Sequence, residues 1–86
     1  MHVILNAGKL GERESAHEYL KSVFGFPDYY GANLDVLYDC LSEMEELHIH
    51  LLHTKEAGPY FEKIRSVLED LDNVIIYEIT AQTPEK

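Results

Sequence analysis

Asp35 and Asp39 stand four residues apart, with Tyr38 between them and Ser42, Glu43 and Glu46 following. On an α-helix, residues four apart lie one turn above each other on the same side. Two carboxylates so placed offer two chemistries. They can share a substrate as acid and base, if their surroundings push their pKa values apart. They can also accept charge-assisted hydrogen bonds from Arg, Lys or His groups of a basic partner. The first chemistry needs an enclosing pocket, and nothing in the sequence builds one over a convex helix face. The second fits the neighbours: Tyr29, Tyr30 and Tyr38 lie beside the acids, and tyrosine next to concentrated charge is the composition of a recognition surface. The plain alternative is a solvated acidic face without a role.

These side chains need a support, and the stretch Pro27–Leu41 supplies it. Pro27 fixes φ and disfavours helix at the residue before it. Gly31 permits a backbone conformation closed to other residues. Asn33 is a good N-cap, because its side-chain oxygen can accept from an unpaired N–H of the first turn. Helix is predicted from Leu34 to about Met44. Leu34, Leu37, Cys40, Leu41 and Met44 form its apolar side, and Asp35, Tyr38, Asp39, Ser42, Glu43 and Glu46 its polar side. Asp35 suits the positive end of the helix dipole. Asp39 does not, and it repels Asp35 across one turn.

The run Pro-x-Tyr-Tyr-Gly-x-Asn-Leu-Asp-x-Leu-x-Asp-Cys-Leu within Phe26–Leu41 resembles, almost position for position, the barstar family of small intracellular inhibitors of barnase-type microbial ribonucleases. Weaker echoes lie at Leu5-Asn6, His17 and Leu20. The resemblance implies a non-enzymatic, one-to-one protein inhibitor of a basic, extracellular-type ribonuclease, monomeric when free and using no cofactor or metal. It implies that the helix and its preceding loop plug the enzyme, with Asp39 where the substrate phosphate would go. The implied partner-binding residues are Tyr29, Gly31, Asn33, Asp35, Tyr38, Asp39, Ser42, Glu43 and Glu46. A further acid late in the last helix falls on Asp70, with Glu69 one residue off. The chain departs from the family in places. The family has an indole at the positions of Tyr38 and Met44, an acid at Ala32 and a small residue at Glu43. The stretch between the second and third strands is also shorter, so that a short helix there should shrink to a turn. These departures keep open a second reading, a barstar-like binding module for another basic protein or toxin.

Composition fits a basic partner or, as the more common explanation of an acidic balance, good solubility. The chain has 86 residues, enough for one domain over 1–86 with one modest core. Sixteen acidic residues against seven basic give a formal charge of −9, which opposes phosphate-mediated binding of nucleic acid. A single Cys excludes an internal disulfide, and Cys40 on the apolar helix side is expected to be a core residue. No stretch approaches the ~20 apolar residues of a membrane span. The start has no basic n-region, so the chain is expected to be cytoplasmic.

The remaining elements frame the acidic helix. Met1–Asn6 is expected to be a buried strand. Ser15-Ala16-His17-Glu18 has capping-box form and should open a helix that runs to about Phe24, with Gly25 as its stop. Ala16, Tyr19, Leu20 and Val23 are its apolar stripe. A second strand is expected at Leu47–His53, with His48 and His50 on one face and His53 nearby; two same-face imidazoles fall short of a metal cage. Thr54–Ala57 should be a short turn. Pro59 should sit at N1 of a helix striped by Tyr60, Phe61, Ile64, Val67, Leu68 and Leu71, closed by Asp72-Asn73. Val74–Ile79 is a third strand, and Thr80–Lys86 a frayed polar tail. The order β-α-α-β-α-β places a helix in each strand-to-strand link. That implies an α/β fold with a three-stranded parallel sheet and right-handed crossovers. Three helices are not expected to cover both sheet faces fully.

Overall fold

The computed structural model describes residues 1–79; the expected tail at Thr80–Lys86 lies outside the described residues. Strands β1 (His2–Asn6), β2 (Leu47–Leu52) and β3 (Val74–Ile79) form a parallel sheet in the order β1-β2-β3. The connections carry helices α1 (Arg13–Phe24) and α2 (Leu34–Ser42) between β1 and β2, and α3 (Tyr60–Asp70) between β2 and β3. Because each right-handed crossover advances the sheet by one strand in the same direction, both place their helices on the same face. Alternation along the strands records this: Val3, Leu5, Leu47, Ile49 and Leu51 are buried, while Ile4, Ile75, Tyr77 and Ile79 on the other face are exposed. The second face is left open among the described residues. The core under the helices is completed by Ala16, Leu20, Leu37, Leu41, Phe61, Ile64 and Leu68.

Several boundaries differ from expectation. α1 begins at Arg13, not after Ser15; its N-cap is Glu12, which makes no side-chain cap bond. The Ser15–Glu18 capping box is therefore not formed, and the Ser15 hydroxyl instead turns back 3.5 Å from the Glu12 carbonyl. The preceding chain explains the early start. Gly11 and Gly58 approach so closely that a Cβ on Gly11 would stand 2.8 Å from the Gly58 nitrogen, and the Gly11 carbonyl accepts from the Tyr60 N–H at 3.1 Å. This contact fixes where the chain enters both α1 and α3. Gly25 ends α1 in the left-handed conformation at φ 70°, as expected. β2 ends at Leu52, because His53 turns into the left-handed region at φ 60° to start the short 3-10 turn Thr54–Glu56. Pro59 is the N-cap of α3, one position before N1, and α3 stops at Asp70 because Leu71 is extended.

α2 also stops early, at Ser42, and a residue from the far end of the chain holds that end. The Asn73 side-chain amide donates to the Leu41 carbonyl at 2.9 Å and to the Met44 carbonyl at 3.0 Å. The last carbonyls of a helix have no partner within it, and α2 has no basic residue in its last turn to help. Asn73→Ala is expected to lower folding stability by about 1–2 kcal/mol, since two half-buried acceptors lose their donor. Urea unfolding at neutral pH measures this, and an unchanged midpoint would mean that water replaces the amide at no cost.

Candidate functional site

The loop before α2 is tied down from within and from both sides. The Tyr30 N–H donates to the Pro27 carbonyl at 2.9 Å, and the Asn33 N–H to the Gly31 carbonyl at 2.9 Å. Arg13 of α1 donates its Nε–H to the Ala32 carbonyl at 2.8 Å. The Phe26 ring, buried in the core, lies against that of Tyr30 with centroids 4.7 Å apart. Beneath the loop His17 is buried, with Nδ1 2.6 Å from the Tyr30 hydroxyl and Nε2 2.8 Å from the Tyr60 hydroxyl. A neutral imidazole has one N–H donor and one acceptor nitrogen, so one tyrosine accepts and the other donates. Burial, then the nearby Cys40 and Tyr60, push the Tyr30 phenol well above its ordinary pKa. Burial, then Arg13, hold the His17 imidazole below its own. His17 therefore connects α1, the loop and α3 through one uncharged cluster.

Asn33 caps α2 as predicted, its side-chain oxygen accepting from the Val36 N–H at 2.8 Å. Leu37 and Leu41 are fully buried, with Leu34, Cys40 and Met44 packed against the core, so the other side of α2 faces out. Asp35 and Asp39 are exposed there, with Tyr38 at 40% exposure between them. Tyr29 is 88% exposed, which leaves a large ring almost wholly in water in the loop before α2. Arg13, Asn33, Leu34, Asp35 and Tyr60 line a shallow groove along this edge. The edge is convex and acidic, and offers carboxylates and phenol rings to whatever approaches.

The remaining expected site residues lie in the loop, at the end of α2 and late in α3. Gly31 does not take a positive φ; among the glycines of the described chain only Gly25 does. A Cβ on Gly31 would meet Asn33 Nδ2 at 3.4 Å and a Val36 methyl at 3.7 Å, ordinary contacts. The freedom that glycine permits is thus not used, because hydrogen bonds on both sides hold the turn in a conformation open to other residues. Gly31→Ala is expected to change folding stability by less than about 0.5 kcal/mol, as read from thermal melts; a large loss would mean that the loop cannot accept even a methyl group.

Ser42 is exposed, but its hydroxyl donates to the Asp39 carbonyl at 2.9 Å. Glu43 is the C-cap of α2. Glu46 lies outside α2, because the helix ends at Ser42, and its carboxylate turns toward His48 Nε2 at 3.4 Å. It does not share the helix's polar side. Of the two acids late in α3, Glu69 is engaged by Arg65 at 3.2 Å, while Asp70 is exposed at the helix's last position. Cys40 is half-buried, and burial, then Glu43 and Asp39, raise its thiol pKa, which keeps it protonated and unreactive.

The His17 cluster is what the sequence analysis missed. The signal was present: Ala16 and Leu20 bracket His17 on the buried stripe of α1, and a histidine there needs two polar partners.

Fold and edge together define a small α/β domain with an acidic loop-and-helix surface. The chain belongs to the barstar family: the family model described as Barstar (barnase inhibitor) matches residues 1–75. It is also 40% identical over 50 residues to a protein of Bacillus subtilis (strain 168) named "Putative ribonuclease inhibitor YrdF". That match covers 58% of this chain and 55% of the relative, so the chain spans about half the length of the curated relative it matches.

Proposed function

We propose that this chain inhibits a basic ribonuclease of the barnase type as a one-to-one protein complex, seating the loop around Tyr29–Asn33 and the exposed side of α2 in the enzyme's active site. The observation that carries this reading is the pair Asp35 and Asp39, exposed on a helix that is capped by Asn33 and locked to the core by Leu37 and Leu41. Such an enzyme must hold its substrate phosphate with cationic groups. A carboxylate on a rigid helix can accept several charge-assisted hydrogen bonds from them. Fixing the helix beforehand also lowers the ordering cost of binding. Asp39 stands in for the phosphate, Asp35 and the two exposed tyrosines extend the contact, and Asp70 adds a rim charge.

Titration of a purified guanyl-specific ribonuclease tests the proposal. Activity should fall linearly to zero at one equivalent, and the chain alone should leave RNA intact. RNA breakdown by the chain itself, unaffected when Asp35→Asn and Asp39→Asn are combined, would overturn it. The alternative, a barstar-like module for another basic protein or toxin, is favoured by Tyr38, which has a hydroxyl where the family has an indole. It predicts no inhibition but retained binding to some other cationic protein.

Association should be fast and salt-sensitive. Opposite charges on the two partners should raise the on-rate by about 10–1000-fold at low ionic strength. Stopped-flow mixing across a salt series measures it, and a flat on-rate removes steering from the account.

A further inference from the structure

The open face of the sheet carries a cluster of rings that binding through α2 does not use. β1 and β2 pair with His2 opposite His48 and Ile4 opposite His50, and β2 and β3 with His50 opposite Tyr77. Alternation turns His2, His48, His50 and Tyr77 to the same open face. His2 stacks on His48 with centroids 4.4 Å apart and planes at 12°. His50 stacks on Tyr77 at 4.6 Å and 9°. These two stacks bring Nδ1 of His2 to 3.3 Å from Nε2 of His50. His48 is engaged elsewhere: its Nδ1 is 2.9 Å from the Tyr77 hydroxyl and its Nε2 3.4 Å from the Glu46 carboxylate.

We propose that His2 and His50 form a two-imidazole chelate for a divalent first-row transition ion on the open face of the sheet. Two nitrogens each ~2.0–2.1 Å from a tetrahedral ion stand roughly 3.3–3.4 Å apart, which is the separation these two already have. A hydrogen bond joins the two rings, and chelation requires each ring to turn so that both lone pairs point at one centre beside the line between the nitrogens. Imidazole selects Zn2+, Cu2+ and Ni2+ over Mg2+ or Ca2+, which prefer oxygen. No set of three or more His, Cys, Asp or Glu side chains converges among the described residues. The described residues therefore supply two ligands, and the remaining positions are open to water or to another donor. His48, Glu46 and Tyr77 orient the pair from behind. Neither ligand belongs to the α2 edge, so ion and ribonuclease should bind independently. An ion here would also clamp β1 to β2.

Calorimetric titration of the full chain with ZnCl2 at neutral pH, and melts with and without the ion, test this. The wild type should bind one Zn2+ and melt higher in its presence, while MgCl2 has no such effect. His50→Asn and His2→Asn should each weaken Zn2+ binding by at least what losing an outer-shell partner costs, about tenfold or more, with melts in chelator confirming that both variants fold. His53→Asn should bind like wild type. Absence of Zn2+ binding in the wild type would overturn the proposal. So would wild-type affinity in folded His50→Asn, which would place the ion on His2 without its partner strand.

Discussion

Asp39→Ala is expected to weaken binding to a basic ribonuclease by a factor of ~30 to several thousand, about 2–5 kcal/mol. Charge pairs in barnase–barstar complexes are among those that set this range. Its physical source is the partner: in the proposed complex the cationic groups would lose water against α2, and without the carboxylate they would stay buried and unpaired. The contrast lies in the flanking acids. Glu43 caps the far end of α2, and Glu46 lies beyond it with its carboxylate beside His48. Truncating either should cost under about 1 kcal/mol of binding, as rim charges do. Folding should respond in the other direction. Asp39 repels Asp35 one turn away and lies toward the negative end of the helix dipole, so Asp39→Ala should melt no lower than wild type. Inhibition titrations and thermal melts on the three alanine variants read both effects. Wild-type binding combined with a lower melt would make Asp39 a structural residue and move the site elsewhere.

Legibility followed how local each cause was. Asn33 could be read as a cap because the bond it makes spans three residues. The parallel sheet was legible because helical links between strands leave few topologies. What stayed hidden depends on contacts between distant segments. The end of α2 is set by Asn73, 32 residues beyond Leu41, whose carbonyl its amide holds. The start of α1 is set by a Gly11–Gly58 approach that no local pattern records. At Gly31 glycine permits a positive φ that the fold does not use, because Arg13 and the turn's own backbone bonds hold it elsewhere. The His2–His50 pair is hidden for a related reason. Spacing within β2 drew attention to His48 and His50, but the register with β1 brings His2 to His50.

Replacing His17 should damage the fold near the site as a core truncation does. His17→Ala removes the partner of two hydroxyls, Tyr30 and Tyr60, and opens a void in a core position. The expected loss is about 2–4 kcal/mol of folding stability. The same group should make stability depend on pH, and the sign follows from its environment. Burial, with Arg13 adding to it, holds the folded-state pKa of His17 below its ordinary 6.5. Between the folded and unfolded pKa values the unfolded chain binds more protons, so stability rises with pH there. The contribution is complete above about pH 6.5–7 and is lost as the pH falls toward the folded value, at up to ~1.4 kcal/mol per pH unit. Once both forms are protonated the loss stops growing. His2 acts in the same direction, because partial desolvation, then His48, the terminal amine and His50, lower its pKa as well. The measure is therefore a difference: urea midpoints of the wild type and of His17→Gln from pH 8 to pH 5. The glutamine amide can still donate and accept but does not titrate, so its profile should be the flatter of the two. Parallel profiles would assign the titration to another group. Because Tyr30 adjoins both Tyr29 and Gly31, charging His17 should also loosen the loop, and affinity for the ribonuclease should fall over the same pH window in the wild type and not in His17→Gln.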